Sequence, residues 1–155
     1  MKICCLDQST KKTGYSVWEN GKLKKFGTIQ VDDTLTPINR ACEMYEEIKK
    51  FIRQIKPDYV CIEGTQFQNN QKVFKLLSQM QGMVFALLVD LDIGFCIIEP
   101  SSWKSFAGIK SRKREDQKKE TIEFVKKNYK VKEPTDDEAD SIAIGHWAIN
   151  NLTVI

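Results

Sequence analysis

Apolar residues recur along this chain in two rhythms, and the change from one to the other separates strands from helices. Ile3, Cys4, Cys5 and Leu6 form an unbroken apolar run, the pattern of a strand buried on both faces. It predicts a first strand over residues 2–9 that carries Asp7 at its end. A polar turn from Gln8 to Thr13 leads to Gly14 and to β-type residues over 15–18. Asn20-Gly21 signals a tight hairpin, and a third strand follows over 22–31. The chain therefore starts as an antiparallel meander. Then the rhythm changes. Ile38, Ala41, Met44, Tyr45, Ile48, Phe51, Ile52 and Ile55 recur at helical spacing, which predicts an amphipathic helix over 38–55 stopped by Lys56-Pro57.

A second short apolar run, residues 59–62, ends in Glu63 as the first ends in Asp7. Residues 64–70 read as a polar loop holding one aromatic, Phe67. A long helix is predicted over 71–91, with Val73, Leu76, Leu77, Met80, Val84, Leu87 and Leu88 on its inner face. Met80, Met83, Phe85 and Leu91 carry its apolar surface further round, which suggests a second contact such as a dimer interface. A strand over 94–98 is closed by Glu99-Pro100. Residues 101–108 read as irregular, and helices follow over 115–129 and 136–150. The order β-β-β-α-β-α-β-α-α predicts an α/β fold. A five-stranded mixed sheet, meander plus parallel strands, carries helices on both faces.

The length of 155 residues suits one domain over 1–155. No apolar stretch reaches the roughly 18 residues of a membrane span, and the start lacks a signal-peptide pattern. A cytoplasmic setting without a membrane partner is expected. Cys4, Cys5, Cys42, Cys61 and Cys96 show no CxxC spacing and read as small buried hydrophobes. The net charge of +3 does not announce a nucleic-acid partner, but its distribution is uneven. Lys110, Arg112, Lys113, Arg114, Lys118 and Lys119 form the densest positive stretch. Such a run is either a solvated face or a strip of phosphate contacts.

The carboxylates decide between those readings. Asp7 and Glu63 each end a buried strand. Either can cap a turn or stand at the mouth of a site. The last helix opens Thr135-Asp136-Asp137-Glu138-Ala139-Asp140. A capping box and the helix dipole account for Asp136, Asp137 and Glu138. They account less well for Asp140, which lies beyond the first turn and shares a face with Asp137. Four carboxylates in one cleft repel one another without a cation, and hard oxygen ligands suit Mg2+ or Mn2+. Two such ions roughly 4 Å apart clamp the attacking and leaving oxygens of a phosphoryl transfer. His146 reads as structural.

Three stretches together resemble the RuvC-type Holliday junction resolvases of the ribonuclease H-like nuclease superfamily. They are Ile3 to Asp7 with the Gly14-Tyr15 hairpin, Pro57 to Glu63, and Asp137-Glu138-Ala139-Asp140-Ser141-Ile142-Ala143. The resemblance implies that Asp7, Glu63, Asp137 and Asp140 bind Mg2+. It also implies a homodimer that nicks opposed strands of a four-way DNA junction, leaving 5′-phosphate and 3′-hydroxyl ends. Lys104 matches a basic residue near the scissile phosphate, and Lys113 or Lys118 a second. Phe67 lies near the aromatic that stacks in the junction. Gln8-Ser9 departs from the Pro-Gly common after the first acid, and the basic segment 110–119 is longer than its counterpart. The expected function is Mg2+-dependent resolution of four-way junctions. Three alternatives stand beside it: a broader nuclease for three-way and flap junctions, a branched-DNA binder that does not cut, and a structural or interaction protein in which the acids are only caps and turns.

Overall fold

In a computed structural model, residues 1–67 and 69–152 are described. Residues 153–155 of the expected domain and Gln68 of the expected loop lie outside them. Five strands form one sheet in the order β3-β2-β1-β4-β5. They are β1 (Lys2–Asp7), β2 (Lys12–Glu19), β3 (Lys22–Gln30), β4 (Tyr59–Glu63) and β5 (Gly94–Ile98). The first three make the meander; β4 and β5 then add in parallel on the other side of β1. This puts β1 at the centre and explains its continuous apolar run. Ile3 and Cys5 face one core and Cys4 and Leu6 the other.

Helices cover both faces. On one side lie α1 (Pro37–Ile55) and α2 (Gln71–Asp90). Met44, Ile48 and Ile52 from α1 meet Met80, Val84 and Leu88 from α2 over the sheet. On the other lie α3 (Pro100–Phe106), α4 (Arg114–Tyr129) and α5 (Asp136–Asn151). The sheet and both helical layers match the expected architecture.

Five expectations need correction. Residues 101–108 are largely helical, not irregular: Pro100 starts α3 at a position that needs no N–H. Seven residues are too few for a 3.6-residue period to show. Cys42 is exposed and Cys96 half-buried, so only Cys4, Cys5 and Cys61 are core hydrophobes. Cys42 follows the buried Ala41 on α1, and one step round a helix takes a side chain to solvent. Finally, α2 is by length and composition apolar enough to cross a membrane. Its Gln and Ser residues interrupt the run, so it does not read as one stretch. It packs on the sheet as a core helix, with Met80, Val84 and Leu88 fully buried. Phe85 stacks on Phe95 with centroids 5.1 Å apart. Of the apolar residues on this helix, Val73 and Val89 are left open to solvent, so Val73 does not belong to the inner face. Ile38 is likewise exposed at the start of α1.

The seating of α5 positions the acids. Gly145 lies against Trp18: a Cβ there would fall 1.9 Å from the indole nitrogen. The indole Nε1–H donates to Ser16 Oγ at 2.9 Å, and Ser16 Oγ donates to the Ser141 carbonyl at 2.6 Å. Together a shape fit and a buried polar chain fix the helix on β2. Farther along, His146 packs among Phe106, Phe124 and Tyr129 and hydrogen-bonds the Tyr129 hydroxyl, as a structural histidine. Burial lowers its pKa.

Gly145→Ala should destabilise the chain by about 1–3 kcal/mol, because the Trp18 ring must move to admit the methyl group. A lower urea midpoint at unchanged m-value is the expected readout.

Candidate active site

Parallel pairing of β1 with β4 sets Leu6 opposite Ile62. The next residues, Asp7 and Glu63, therefore stand side by side where the two strands end. On its other side Asp7 pairs with Gly14 of β2. A Cβ on Gly14 would lie 1.9 Å from the Asp137 carbonyl oxygen. Glycine is required there because the first turn of α5 rests on the β2 backbone. That contact brings Asp137, and Asp140 one turn on, up to Asp7. The capping box is also present: Thr135 and Glu138 bond each other's backbone N–H groups.

The four acids open on one cleft of about 670 Å3. Their titration behaviour records how closely they meet. Burial lifts the Asp7 carboxyl well above the usual range. The charges of Glu63 and Asp140, a side-chain hydrogen bond with Glu63 and the charge of Asp137 add to the effect. Asp140 is raised to about 7, first by burial and then by Glu63, against the opposing charge of Lys104. Burial, then Asp136, raises Asp137, while Lys12 and Lys118 pull it down. Among the described residues no group of three acidic, histidine or cysteine side chains forms a ready-made metal cage. Asp7 and Glu63 instead share a hydrogen bond.

Several neighbours hold these carboxylates in place. The Trp103 indole N–H donates to Glu63 Oε1 at 2.8 Å, from a side chain with no exposed surface. Gln81 of α2 donates to the Glu63 carbonyl at 2.9 Å. Gln8, at the departure from Pro-Gly, ties the end of β1 to the Leu77 carbonyl at 3.4 Å. Sequence reasoning missed the roles of Trp103, Gln81 and Gln8. It quoted Gly14 without its reason. The Pro100-X-X-Trp103 pattern after a strand was the available signal for α3.

The basic residues divide. Lys104, Arg112, Arg114 and Lys118 line the cleft, whereas Lys110, Lys113 and Lys119 are exposed outside it. Lys104 Nζ donates to Gln117 Oε1 at 3.2 Å and lies 5.3 Å from the centre of the Trp103 ring. Gln117 in turn donates to the Ser111 carbonyl at 2.8 Å. Lys118 pairs with Asp136. The Lys110 backbone N–H donates to Glu120 at 2.9 Å, which holds the basic loop against α4. Phe67 is 62% exposed, which rules out a buried loop anchor. It meets Phe74 edge-to-face at 5.8 Å, and Phe74 lines the cleft.

An acid whose folded pKa exceeds its unfolded value makes the native state bind more protons, so stability falls as pH rises between the two values. For Asp140 that window runs from the ordinary carboxylate range to about 7. Asp140→Asn should therefore raise the Tm of the metal-free chain above pH 7 and flatten its decline between pH 4 and 7, as read by thermal melts. Trp103→Phe keeps an aromatic ring but removes the N–H from Glu63. It should lower stability by roughly 1–3 kcal/mol, because one Glu63 oxygen loses its buried donor, read as a lower urea midpoint.

A family model described as Lactococcus phage M3 protein matches residues 1–150. The crossover junction endodeoxyribonuclease RuvC of Finegoldia magna is 26% identical over 148 residues, covering 93% of this chain and 90% of that protein. Thermus thermophilus RuvC in complex with a Holliday junction substrate superposes with a TM-score of 0.75 at 15% identity, over 95% of this chain and 92% of that one. The yeast mitochondrial Holliday junction resolvase superposes at 0.62 with 16% identity, over 95% and 77%. The sheet order, the two helical layers and these superpositions make the fold ribonuclease H-like, of the RuvC type. On the match over residues 1–150, the chain so folded belongs to the Lactococcus phage M3 protein family.

Proposed function

We propose that this chain is a structure-selective DNA endonuclease that resolves four-way junctions by metal-dependent phosphodiester hydrolysis. One observation carries the reading. Asp7, Glu63, Asp137 and Asp140, from three separate parts of the sequence, line one cleft with Lys104, Arg112, Arg114 and Lys118. A protein that only grips DNA gains nothing from four carboxylates facing a phosphate. The RuvC relatives and the junction-bound structure support the substrate.

The donor set fits a divalent ion. It is made of hard oxygens, and the carboxyls of Asp7, Asp137 and Asp140 stay raised by burial and by their acidic neighbours even where Lys104, Lys12 and Lys118 oppose the shift. Held by these four carboxylates, two Mg2+ ions, or Mn2+ in their place, supply Lewis acidity and an ionised water for hydrolysis that leaves 5′-phosphate and 3′-hydroxyl ends. The chain supplies the rest. Trp103 holds one oxygen of Glu63, which lines the cleft. Lys104 stands close enough to Asp140 to act on its charge, where an ammonium offsets the charge that develops on a phosphoryl group. Arg112, Arg114 and Lys118 contact flanking phosphates and position the strand. Lys110 and Lys113, outside the cleft, serve the arms of the junction. Phe67 offers an open ring face to a base at the junction centre. Two copies act together, cutting opposed strands, with α2 at the subunit contact, as a single nuclease domain in the cytoplasm.

Cleavage of an immobile four-way junction, beside its linear duplex arms, tests this. Paired nicks are expected on the junction in Mg2+, absent with EDTA and reduced at least 100-fold by Asp7→Asn. Equal cutting of three-way junctions would shift the reading to a broader branched-DNA nuclease. Tight junction binding without nicks under any divalent ion would leave a binding protein.

A further inference from the structure

Beside the main cleft lies a smaller hollow of about 240 Å3, and Ser9 and Asp137 line both. The two depressions therefore meet at Ser9 and Asp137. The small hollow lies at the turn between β1 and β2, with Lys11 and Lys12 on its wall and the end of β3 opposite. Both lysines are exposed, and neither makes an ion pair among the described residues.

The turn that carries them is built rather than loose. The Ser9 N–H donates to Thr13 Oγ1 at 3.2 Å, and Thr13 Oγ1 donates to the Ser9 carbonyl at 3.0 Å. The Val31 N–H donates to the Lys11 carbonyl at 3.2 Å, tying the turn to the end of β3. Thr10 is 8% exposed and Thr13 fully buried. None of these ties uses an ammonium group. Two cations are thus mounted on a braced turn in the hollow that shares Asp137 with the cleft, whereas Lys118 lines the cleft itself.

A DNA strand that crosses the four acids carries phosphates on both sides of the bond being cut. The cleft-lining cations of α3, α4 and the loop before α4 screen one side. Beyond Asp137 the strand would meet that carboxylate and Asp33, a second acid of the hollow, unless cations stood there too. We propose that Lys11 and Lys12 form a second phosphate-binding bank, which takes the DNA backbone on the side of the scissile phosphate away from α4. This rests on the nuclease reading above. Such contacts hold register and orientation without reading sequence.

The test is junction binding in EDTA, where nothing is cut, over a range of salt concentrations. The slope of log K against log salt steepens by about 0.9 for every phosphate that the protein neutralises. The variant Lys11→Ala/Lys12→Ala should therefore make it shallower by about 2, for every junction sequence alike. Lys11→Gln/Lys12→Gln, which keeps polar side chains on the turn, should do the same. Junctions with one neutral methylphosphonate, walked along the cut strand, locate the contact. Native protein should bind less tightly when the neutral linkage lies on one side of the scissile phosphate, and the double variant should be indifferent to those same positions. An unchanged slope, or an equal response of native and variant proteins to every neutral linkage, overturns the second bank alone. Failure of the native chain to bind any junction overturns the nuclease reading and this one with it.

Discussion

Four like charges gathered at the ends of two buried strands are the constraint to which the rest of the structure answers. Carboxylates in a partly dry cleft repel one another and lose hydration, and both effects push their pKa values up. A loosely held set would move apart. Here each acid stands on an element with little freedom. Asp7 and Glu63 end neighbouring parallel strands whose register is set by cores on both faces. Asp137 and Asp140 ride on a helix locked to β2 by Gly145, Trp18 and the Ser16–Ser141 bond. Gly14 then sets how near that helix comes. The repulsion is borne by the scaffold and shows as shifted proton affinity instead of displaced side chains.

This division also explains how far the sequence could be read. The unbroken runs before Asp7 and Glu63 were legible because a strand covered on both faces has no polar alternation. The i,i+3 pair of α5 was legible because helical spacing puts Asp137 and Asp140 on one face. These signals are local, and they sufficed to name the four acids. Trp103 was not legible as a partner of Glu63, because nothing local tells a buried indole from an exposed one. The α3 turn around it was too short to show a period. The basic run was legible as charge but not as geometry. Arg112, Arg114 and Lys118 reach the cleft and Lys113 does not, a distinction made by where α4 begins. The reason for Gly14 lies in a residue more than a hundred positions away, so only packing reveals it.

The α4 segment shows a second way of placing a functional surface. Its buried residues are few, Thr121 and Val125, so apolar packing alone does not fix it. Polar ties supply much of the anchoring. Glu120 accepts from the Lys110 and Ser111 backbones and from the Ser111 hydroxyl, and Gln117 bridges Lys104 to the Ser111 carbonyl. These bonds hold the basic loop against the helix without engaging the Arg112 side chain. On the proposed function this strip meets phosphates, and its cations serve that contact best when the anchoring bonds do not use them. Anchoring through Glu120 and Gln117 leaves the Arg112 side chain out of these bonds.

Lys118 is paired with Asp136. Both side chains are 39% exposed, and an ion pair so open to water contributes about 0–1 kcal/mol. That is too little to withhold the ammonium from a phosphate, whose charged oxygens make strong hydrogen bonds of their own. The pair is better understood as a holding position. Asp136 belongs to the first turn of α5 but not to the four clustered acids. By drawing Lys118 to itself it keeps that cation beside the cleft, and it does so without placing the ammonium among Asp7, Glu63 and Asp140, where it would compete with a metal ion. On the proposed function, the same turn of helix keeps two kinds of positive charge apart, a divalent ion among the clustered acids and a lysine at the rim. Hydrolysis of a phosphodiester on a polyanionic strand needs both at once.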